Sequence, residues 1–135
     1  MQKLEKLLKE IRVLIVDDME SIRNVINGCL RELGVEHTVQ ANNGEAAWKL
    51  LNETRIDMIV CDWDMPQVSG IEFLNMVRNA EEHSHIPFLM LTAESEKEKV
   101  SRAIKAGVSD YLTKPFQPKE LEYRVIKLLR KVKLS

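Results

Sequence analysis

The sequence predicts an α/β protein built on a doubly wound, five-stranded parallel sheet with helices on both faces. Short apolar runs alternate five times with segments whose apolar residues recur at helical spacing. The run at residues 58–61 is unbroken, which is typical of a strand buried on both faces, and the alternation implies right-handed crossovers in a parallel sheet. A chain of 135 residues is long enough for one such domain and too short for a second.

Each of the five predicted strands is a short run that ends beside a polar residue. The runs span residues 11–16, 35–41, 58–61, 86–91 and 111–113. Apolar stripes with Gly or Pro near their ends predict the helices, which cover residues 22–33 and 45–52, the segment after Gly70, residues 95–107 and the segment from Pro118. These stripes predict that Val25 and Val132 face the sheet. Ser95 and Glu98 fit a capping box at the start of the fourth helix.

Residues 1–10 precede this alternation and form an N-terminal extension to a domain that spans residues 11–135. Leu4, Leu7 and Leu8 recur at helical spacing in the extension. Because so short a helix is marginal in water, we expect a frayed, solvated segment unless it docks on the domain.

The composition argues against several classes of function. A formal net charge of −1, from 20 basic and 21 acidic residues, gives no overall attraction to nucleic acid or to an anionic membrane. No apolar run approaches the ~20 residues of a membrane span, and the first residues lack the apolar core of a signal peptide. Cys29 and Cys61 lie within apolar patterns and indicate buried thiols in a reducing compartment. We therefore expect a cytoplasmic protein that binds neither nucleic acid nor membrane.

Polar residues follow four of the predicted strands. Because parallel strands point the same way, their carboxyl ends meet at one edge of the sheet, where open α/β sheets bind ligands. This edge holds Asp17, Asp18, Asp62, Thr92 and Lys114. Taken singly, each residue has an ordinary explanation as a helix cap, a strand end or a surface charge. Their occurrence together at one edge favours a functional site.

The residues at this edge form a complementary set for phosphoryl chemistry. Three neighbouring carboxylates repel one another, and a hard divalent cation relieves that repulsion; Mg2+ fits because it takes few protein ligands. A carboxylate beside the cation can act as a nucleophile toward a phosphoryl group, while Lys114 offsets charge and Thr92 donates a hydrogen bond. His37, His83 and His85 show no connection to this edge, and we interpret His83 and His85 as solvent-exposed loop residues.

The same residues carry a resemblance to a known family. Four motifs resemble, in order and spacing, those of the receiver domain of bacterial two-component response regulators, most closely the single-domain chemotaxis type. The motifs are VLIVDD at 13–18, VCDWDMP at 60–66, LTAE at 91–94 and DYLTKPF at 110–116. The resemblance covers roughly residues 11–130. It implies a flavodoxin-like sheet with the strand order 2-1-3-4-5.

Residue by residue, the resemblance implies a phosphorylation site that uses Mg2+. Asp62 would be the phosphoacceptor. Asp18 would contact Mg2+ directly, and Asp17 would hold it partly through water. The backbone carbonyl of Asp64 would be a further ligand.

The resemblance also implies residues that act on the phosphoryl group and on a partner surface. Thr92 and Lys114 would contact the phosphoryl group, and the peptide bond between Lys114 and Pro115 is expected to be cis. Tyr111 matches the family's switch aromatic. A Thr92 hydroxyl drawn toward the phosphoryl group would leave space that Tyr111 could fill. The predicted docking face combines Tyr111 with Lys97, Val100 and Ile104 of the fourth helix.

The chain departs from the family pattern in three places. Position 64 is often Asn or Met in close relatives and is Asp here, which puts an extra negative side chain beside Asp62. This carboxylate could alter the lifetime of the phosphoryl group. Ser69 stands where Asp is usual before Gly70, and residues 1–10 are not part of the pattern.

The predicted function is that of a phosphorylation-activated response regulator. A sensor histidine kinase would donate a phosphoryl group to Asp62, and the altered surface would engage a target protein. The chemotaxis type implies the flagellar motor as that target. A phosphatase is left open as a further partner, and we expect a monomer with no enzymatic activity beyond its own phosphorylation and dephosphorylation.

Two alternatives remain at this point. Asp62-Trp63-Asp64 also fits the DxD pattern of phosphatases that form an aspartyl-phosphate, although in that family the acidic pair comes last, whereas Asp17 and Asp18 come first here. The other alternative is a phosphate-sink or relay receiver without a motor target. A transcription factor lacks support because no DNA-binding segment is evident, and nucleotide or flavin binding lacks a Gly-rich loop after the first strand.

Overall fold

A sheet of five parallel strands forms the centre of the molecule, and the computed structural model describes residues 2–93 and 97–132. The strands are β1 (Arg12–Val16), β2 (His37–Ala41), β3 (Met58–Asp62), β4 (Phe88–Thr92) and β5 (Asp110–Thr113). The helices are α1 (Gln2–Glu10), α2 (Glu20–Leu33), α3 (Gly44–Glu53), α4 (Gly70–Asn79), α5 (Lys97–Lys105) and α6 (Pro118–Val132). The strand order is β2-β1-β3-β4-β5, so the predicted doubly wound, flavodoxin-like fold is confirmed.

Each face of the sheet has its own apolar core, because successive side chains of a strand point to opposite faces. Ile59 and Cys61 of β3 pack on the face covered by α3, α4 and α5. Met58 and Val60 pack on the face covered by α1, α2 and α6. All five residues of β3 are buried, and the strand pairs with β1 on one side and β4 on the other. The strand that ends at Asp62 is therefore held on both faces and both edges.

Two predicted site residues lie inside strands and not after them. Asp62 is the last residue of β3 and pairs in register with Leu91, while Thr92 ends β4 and pairs with Thr113. The apolar runs could not indicate that β3 and β4 extend to Asp62 and Thr92, because the length of a strand depends on pairing with its neighbours. At the edge of the sheet, β2 begins at His37, later than predicted.

The N-terminal extension is a helix that docks on the domain, so the prediction of a solvated, frayed segment is wrong. Leu8 of α1 is buried, and Leu4 and Leu7 are partly buried against the core that includes α2 and α6. The Leu8 side chain also lies close to Gly34, just after α2. Docking supplies the apolar contacts that an isolated helix of this length lacks.

Two valines predicted to face the sheet are exposed. Val25 of α2 is 52% exposed and Val132 of α6 is 45% exposed, while Ile26 and Leu129 are fully buried. The predicted stripes were wider than the part of each helix that the sheet covers. Cys29 and Cys61 are buried free thiols, as predicted, and burial raises the pKa of both thiols. No helix among the described residues is long and apolar enough to cross a membrane.

His83 is not the solvent-exposed residue that the sequence predicts. Its side chain is 13% exposed, and its ring packs edge-on against Trp48 with 5.8 Å between ring centroids. The ring atom Nε2 also lies 3.0 Å from Oδ1 of Asn52. These contacts join the turn before β4 to α3. His85 is exposed, as predicted, and His37 is exposed as well.

A capping box opens α4, where the sequence analysis did not identify one. The Ser69 hydroxyl accepts from the backbone N–H of Glu72 at 3.3 Å, and Glu72 Oε1 accepts from the backbone N–H of Ser69 at 3.4 Å. Ser69 therefore fills the capping role with a hydroxyl where Asp is usual. The predicted box at Ser95 lies outside the described residues, because residues 94–96 are not described.

Candidate functional site

The carboxyl edge of the sheet brings together the residues predicted from the sequence. Asp17 follows β1, Asp62 ends β3, Thr92 ends β4 and Lys114 follows β5. Among the described residues, the buried polar or charged side chains are those of Asp17, Asp62 and Thr92. Burying charge is costly unless it is paired, so their concentration at one edge of the sheet indicates a functional site.

Lys114 lies between two buried carboxylates. Its Nζ is 2.8 Å from Oδ1 of Asp62 and 3.1 Å from Oδ2 of Asp17. The backbone N–H of Lys114 donates to the carbonyl of Thr92 at 2.7 Å, which fixes the start of this loop against β4. The peptide bond between Lys114 and Pro115 is cis, as the resemblance implied. One ammonium thus faces two carboxylates, and the charge balance remains negative.

Asp18 adds a third carboxylate to this edge. One oxygen from each of Asp17, Asp18 and Asp62 lies within 4.8 Å of the others, and Asp18 is exposed while the other two are buried. Asp17 is held in place because its Oδ1 accepts from the backbone N–H of Met19 at 2.9 Å. Carboxylate oxygens are the donors that a hard cation prefers, and the negative charge balance favours a cation. The residues therefore fit Mg2+, with Asp18 on the side open to solvent.

The Asp64 carboxylate is not a member of this cluster, although its charge acts on Asp62. The carboxylate is 59% exposed, and its Oδ1 lies 3.6 Å from Nζ of Lys99 on α5. The sequence predicts this extra carboxylate beside Asp62 but gives no indication of its partner Lys99. The predicted role of the Asp64 backbone carbonyl as a metal ligand stays a prediction.

The pKa values of Asp62 and Lys114 are both raised, which disfavours the charged form of Asp62 and favours the charged form of Lys114. Burial raises the pKa of Asp62 above 3.8, and the nearby Asp17 and Asp64 carboxylates add to that rise against the lowering effect of Lys114. Burial alone lowers the pKa of Lys114, but its contacts with Asp62 and Asp17 outweigh burial and raise that pKa above 10.5. The ionised Asp62 carboxylate is therefore incompletely compensated, a state that added positive charge would relieve.

In metal-free buffer we expect Asp62→Asn to raise the free energy of unfolding at pH 7. Between the unfolded-state and folded-state pKa values of Asp62, the folded protein binds more protons than the unfolded chain. Wild-type stability therefore falls as pH rises through this window and stays lower above it. The neutral amide escapes this penalty, and Lys114 keeps its contact with Asp17.

Urea denaturation in the presence of EDTA measures this difference. The gain from Asp62→Asn should shrink as the pH falls toward 3.8, the ordinary pKa of the carboxyl. An amide variant that is equally stable or less stable than wild type at pH 7 would contradict the expectation.

Gly70 positions Asp62 through a close backbone contact that the sequence analysis missed. A Cβ added at Gly70 would overlap the backbone carbonyl oxygen of Asp62 and would lie 2.8 Å from Cα of Trp63. The N–H of Gly70 donates to the Trp63 carbonyl at 2.9 Å, and the N–H of Trp63 donates to the Leu91 carbonyl at 2.8 Å. Helix α4 therefore begins directly against the end of β3. The Ser69-Gly70 step after the DWDMP motif was the available signal for this contact.

The predicted docking face is described only in part. Tyr111 on β5 is partly buried against the core that contains α3, α4 and α5. On α5, Val100 is half-buried and Ile104 is 61% exposed. The Lys97 side chain lies outside the described part of the chain. The grouping of these residues into one docking face stays a prediction.

One cleft lies at the opposite edge of the sheet from the site. It has a volume of about 380 Å³ and is lined by residues that precede β3 and β4, among them Arg55, Asp57 and Pro87. Arg55 already forms an ion pair with Asp57 at 3.4 Å and donates to the Glu10 carbonyl at 3.1 Å. The residues that line this cleft are therefore distinct from those at the carboxyl edge.

Residues 13–126 match the family described as the response regulator receiver domain, and the chain belongs to that family. Receiver domains of this kind are phosphoacceptor switch proteins that bind Mg2+ at a cluster of aspartates. The matched region begins after α1.

Within the family, the chain is similar to chemotaxis proteins. It is 37% identical over 124 residues to chemotaxis protein CheY-3 of Vibrio cholerae, covering 92% of this chain and 95% of that protein. It is 38% identical over 122 residues to chemotaxis protein CheY of Pseudomonas aeruginosa, covering 90% and 98%.

Solved structures show the same similarity. The chemotaxis response regulator CheY4 of Vibrio cholerae aligns with a TM-score of 0.82 at 34% identity, over 88% of this chain and 98% of that one. The receiver domain of the Francisella response regulator 1452 aligns with a TM-score of 0.82 at 35% identity, over 92% and 100%.

Proposed function

We propose that this protein is a cytoplasmic, phosphorylation-activated switch that accepts a phosphoryl group on Asp62 from a sensor histidine kinase. The observation that carries the proposal is the buried Asp62 carboxylate, which Lys114 contacts and which lies in a cluster with Asp17 and Asp18. The similarity to chemotaxis proteins supports the flagellar motor as the target of the activated form.

The proposed reaction is a direct transfer between two side chains. A carboxylate oxygen of Asp62 attacks the phosphorus of a phosphohistidine, the P–N bond breaks, and the departing imidazole nitrogen takes a proton. Bound Mg2+, held by Asp17, Asp18 and Asp62 with the Asp64 backbone carbonyl as a further ligand, would offset charge on the phosphoryl oxygens.

Two further residues would interact with the negatively charged phosphoryl oxygens. The Lys114 ammonium, which already contacts Asp62, is placed to neutralise a phosphoryl oxygen. Thr92 is buried at the end of the neighbouring strand, and its hydroxyl is the donor we assign to another phosphoryl oxygen. Such contacts on a fixed scaffold stabilise the modified state without moving the strands.

We infer that the conformational change on phosphorylation begins with movement of the Thr92 hydroxyl and continues with a change in the position of Tyr111. Tyr111 lies on β5, whose residues pair in register with β4, and it is partly buried near α5. Movement of the Thr92 hydroxyl toward the phosphoryl group would let Tyr111 turn inward. A target must bind the inward state more tightly, because equal affinity for both states would transmit nothing.

Thr92→Ala should retain phosphorylation of Asp62 but uncouple it from the docking face. With Mg2+ and beryllofluoride, which stands in for the phosphoryl group, we expect amide NMR shifts at Tyr111 and Ile104 in wild type. These shifts should be largely lost in Thr92→Ala and kept in Thr92→Ser, which retains the hydroxyl. Shifts of wild-type size in Thr92→Ala would refute the coupling.

Labelling with acetyl phosphate tests the proposed function itself. Wild type should acquire one phosphoryl group in the presence of Mg2+, and Asp62→Asn should acquire none. Steady turnover of p-nitrophenyl phosphate would instead support the DxD-type phosphatase. A phosphotransfer screen against the sensor kinases of the source organism would then identify the donor and separate a motor-directed switch from a phosphate-sink or relay receiver.

A further inference from the structure

The Asp64 carboxylate forms an ion pair with helix α5 and does not belong to the three-carboxylate cluster. Its Oδ1 lies 3.6 Å from Nζ of Lys99, and the Lys99 side chain is 26% exposed. The same Nζ lies 5.9 Å from the ring centroid of the buried Trp63, and the Arg102 guanidinium lies 5.5 Å from that centroid. Two cations of α5 therefore contact the segment that directly follows Asp62.

An Asp64 side chain paired with Lys99 is directed toward α5. Asp64 nevertheless follows Asp62 by only two residues in the chain. Its backbone is held near the site because Trp63 is anchored to both Leu91 and Gly70 by backbone hydrogen bonds. A rotation of the Asp64 side chain away from Lys99 would therefore change which groups face Asp62 without displacing the loop.

A carboxylate facing a phosphorylated Asp62 could assist hydrolysis as a general base. A water oxygen would form a bond to phosphorus, the bond between phosphorus and the Asp62 oxygen would break, and Asp64 would accept the proton of the water. Inorganic phosphate would leave, and Asp62 would return to its carboxylate form. The ion pair with Lys99 competes with this role, because Nζ of Lys99 lies 3.6 Å from Oδ1 of the same carboxylate.

We propose that Lys99 is a positioning residue that withholds the Asp64 carboxylate from phosphorylated Asp62 and thereby lengthens the life of the phosphoryl group. The proposal rests on the proposed function and adds a determinant of its switch-off rate. Because the Asp64 carboxylate is more than half exposed, the pair is weak and opens often, so its loss should change the decay rate by about two- to fivefold.

Decay of the radiolabelled phosphoryl group in Mg2+ buffer, after labelling with acetyl phosphate, measures this effect. Lys99→Gln should shorten the half-life by about two- to fivefold. Lys99→Arg, which keeps the positive charge, should restore it. Asp64→Asn should lengthen the half-life, and Lys99→Gln should then have no further effect. Lys105→Gln, at an exposed position of the same helix, serves as the control and should leave the half-life unchanged.

The dependence on Asp64 separates positioning from a general structural effect. If Lys99→Gln shortened the half-life equally in the Asp64→Asn protein, Lys99 would act by another route and the proposal would be wrong. An unchanged or longer half-life in Lys99→Gln alone would also overturn it. Failure of wild type to become labelled at all would instead remove the proposed function.

Discussion

Asp18→Ala should abolish Mg2+ binding and phosphorylation together while leaving the fold intact. Asp18 is the exposed member of the three-carboxylate cluster, so its removal creates no buried cavity and lessens repulsion with Asp17 and Asp62. The cation then loses a direct ligand, and the phosphoryl oxygens lose the charge that it supplies. We expect labelling by acetyl phosphate to fall by on the order of a hundredfold or more.

Mg2+ titration by calorimetry and labelling by acetyl phosphate are the two measurements. Glu20→Ala is the matched control, because Glu20 is an exposed acidic residue two positions away that does not belong to the cluster. It should leave both quantities unchanged. Undiminished labelling of Asp18→Ala would show that the assignment of the metal site is wrong.

Gly70→Ala should destabilise the protein by about 3 kcal/mol and slow phosphorylation of Asp62. The added Cβ would overlap the backbone carbonyl of Asp62 and crowd Cα of Trp63. Both are backbone atoms in a hydrogen-bonded segment, so they cannot move aside as the end of a flexible side chain can. Relief therefore requires α4 to separate from the end of β3, which would misplace Asp62, the residue that we propose accepts the phosphoryl group.

Gly28→Ala is the matched control and should stabilise the protein, although the chemical change is the same as in Gly70→Ala. Gly28 lies within α2, and a Cβ there would meet nothing within 4 Å. We expect a gain of about 0.5–1 kcal/mol, because alanine favours a helix interior over glycine. Urea denaturation measures both variants. A Gly70→Ala protein within about 0.5 kcal/mol of wild type would contradict the close contact between α4 and β3.

The sequence was sufficient to predict the sheet and the members of the site, because both depend on local patterns. Unbroken apolar runs such as residues 58–61 predicted buried strands, and parallel strands necessarily bring the residues at their carboxyl ends together. Asp17, Asp62 and Lys114 are accordingly found in contact at one edge. The family resemblance added the cis peptide bond before Pro115, for which the residues alone gave no indication.

Features that depend on long-range packing were not predictable in the same way. The pair between Asp64 and Lys99 joins residues of different elements, and neither residue's neighbours indicate the other. The docking of α1 required a free apolar surface beside Gly34, which the spacing of the leucines cannot reveal. Burial of His83 likewise depends on Trp48 of α3, which is distant in sequence. Local pattern sets the elements, whereas these contacts follow from how the elements meet.

The full burial of β3 has a consequence for how fast this protein could respond. A slip of the strand by one residue would exchange Ile59 with Val60 between two separate cores and break its register with both neighbours. The strand is therefore a fixed support, and a response to modification of Asp62 must be carried by the side chains and loops beyond the strand ends. Motions of that kind take nanoseconds to microseconds. The delay between signal and output would then be set by the arrival of the phosphoryl group and not by rearrangement of the domain.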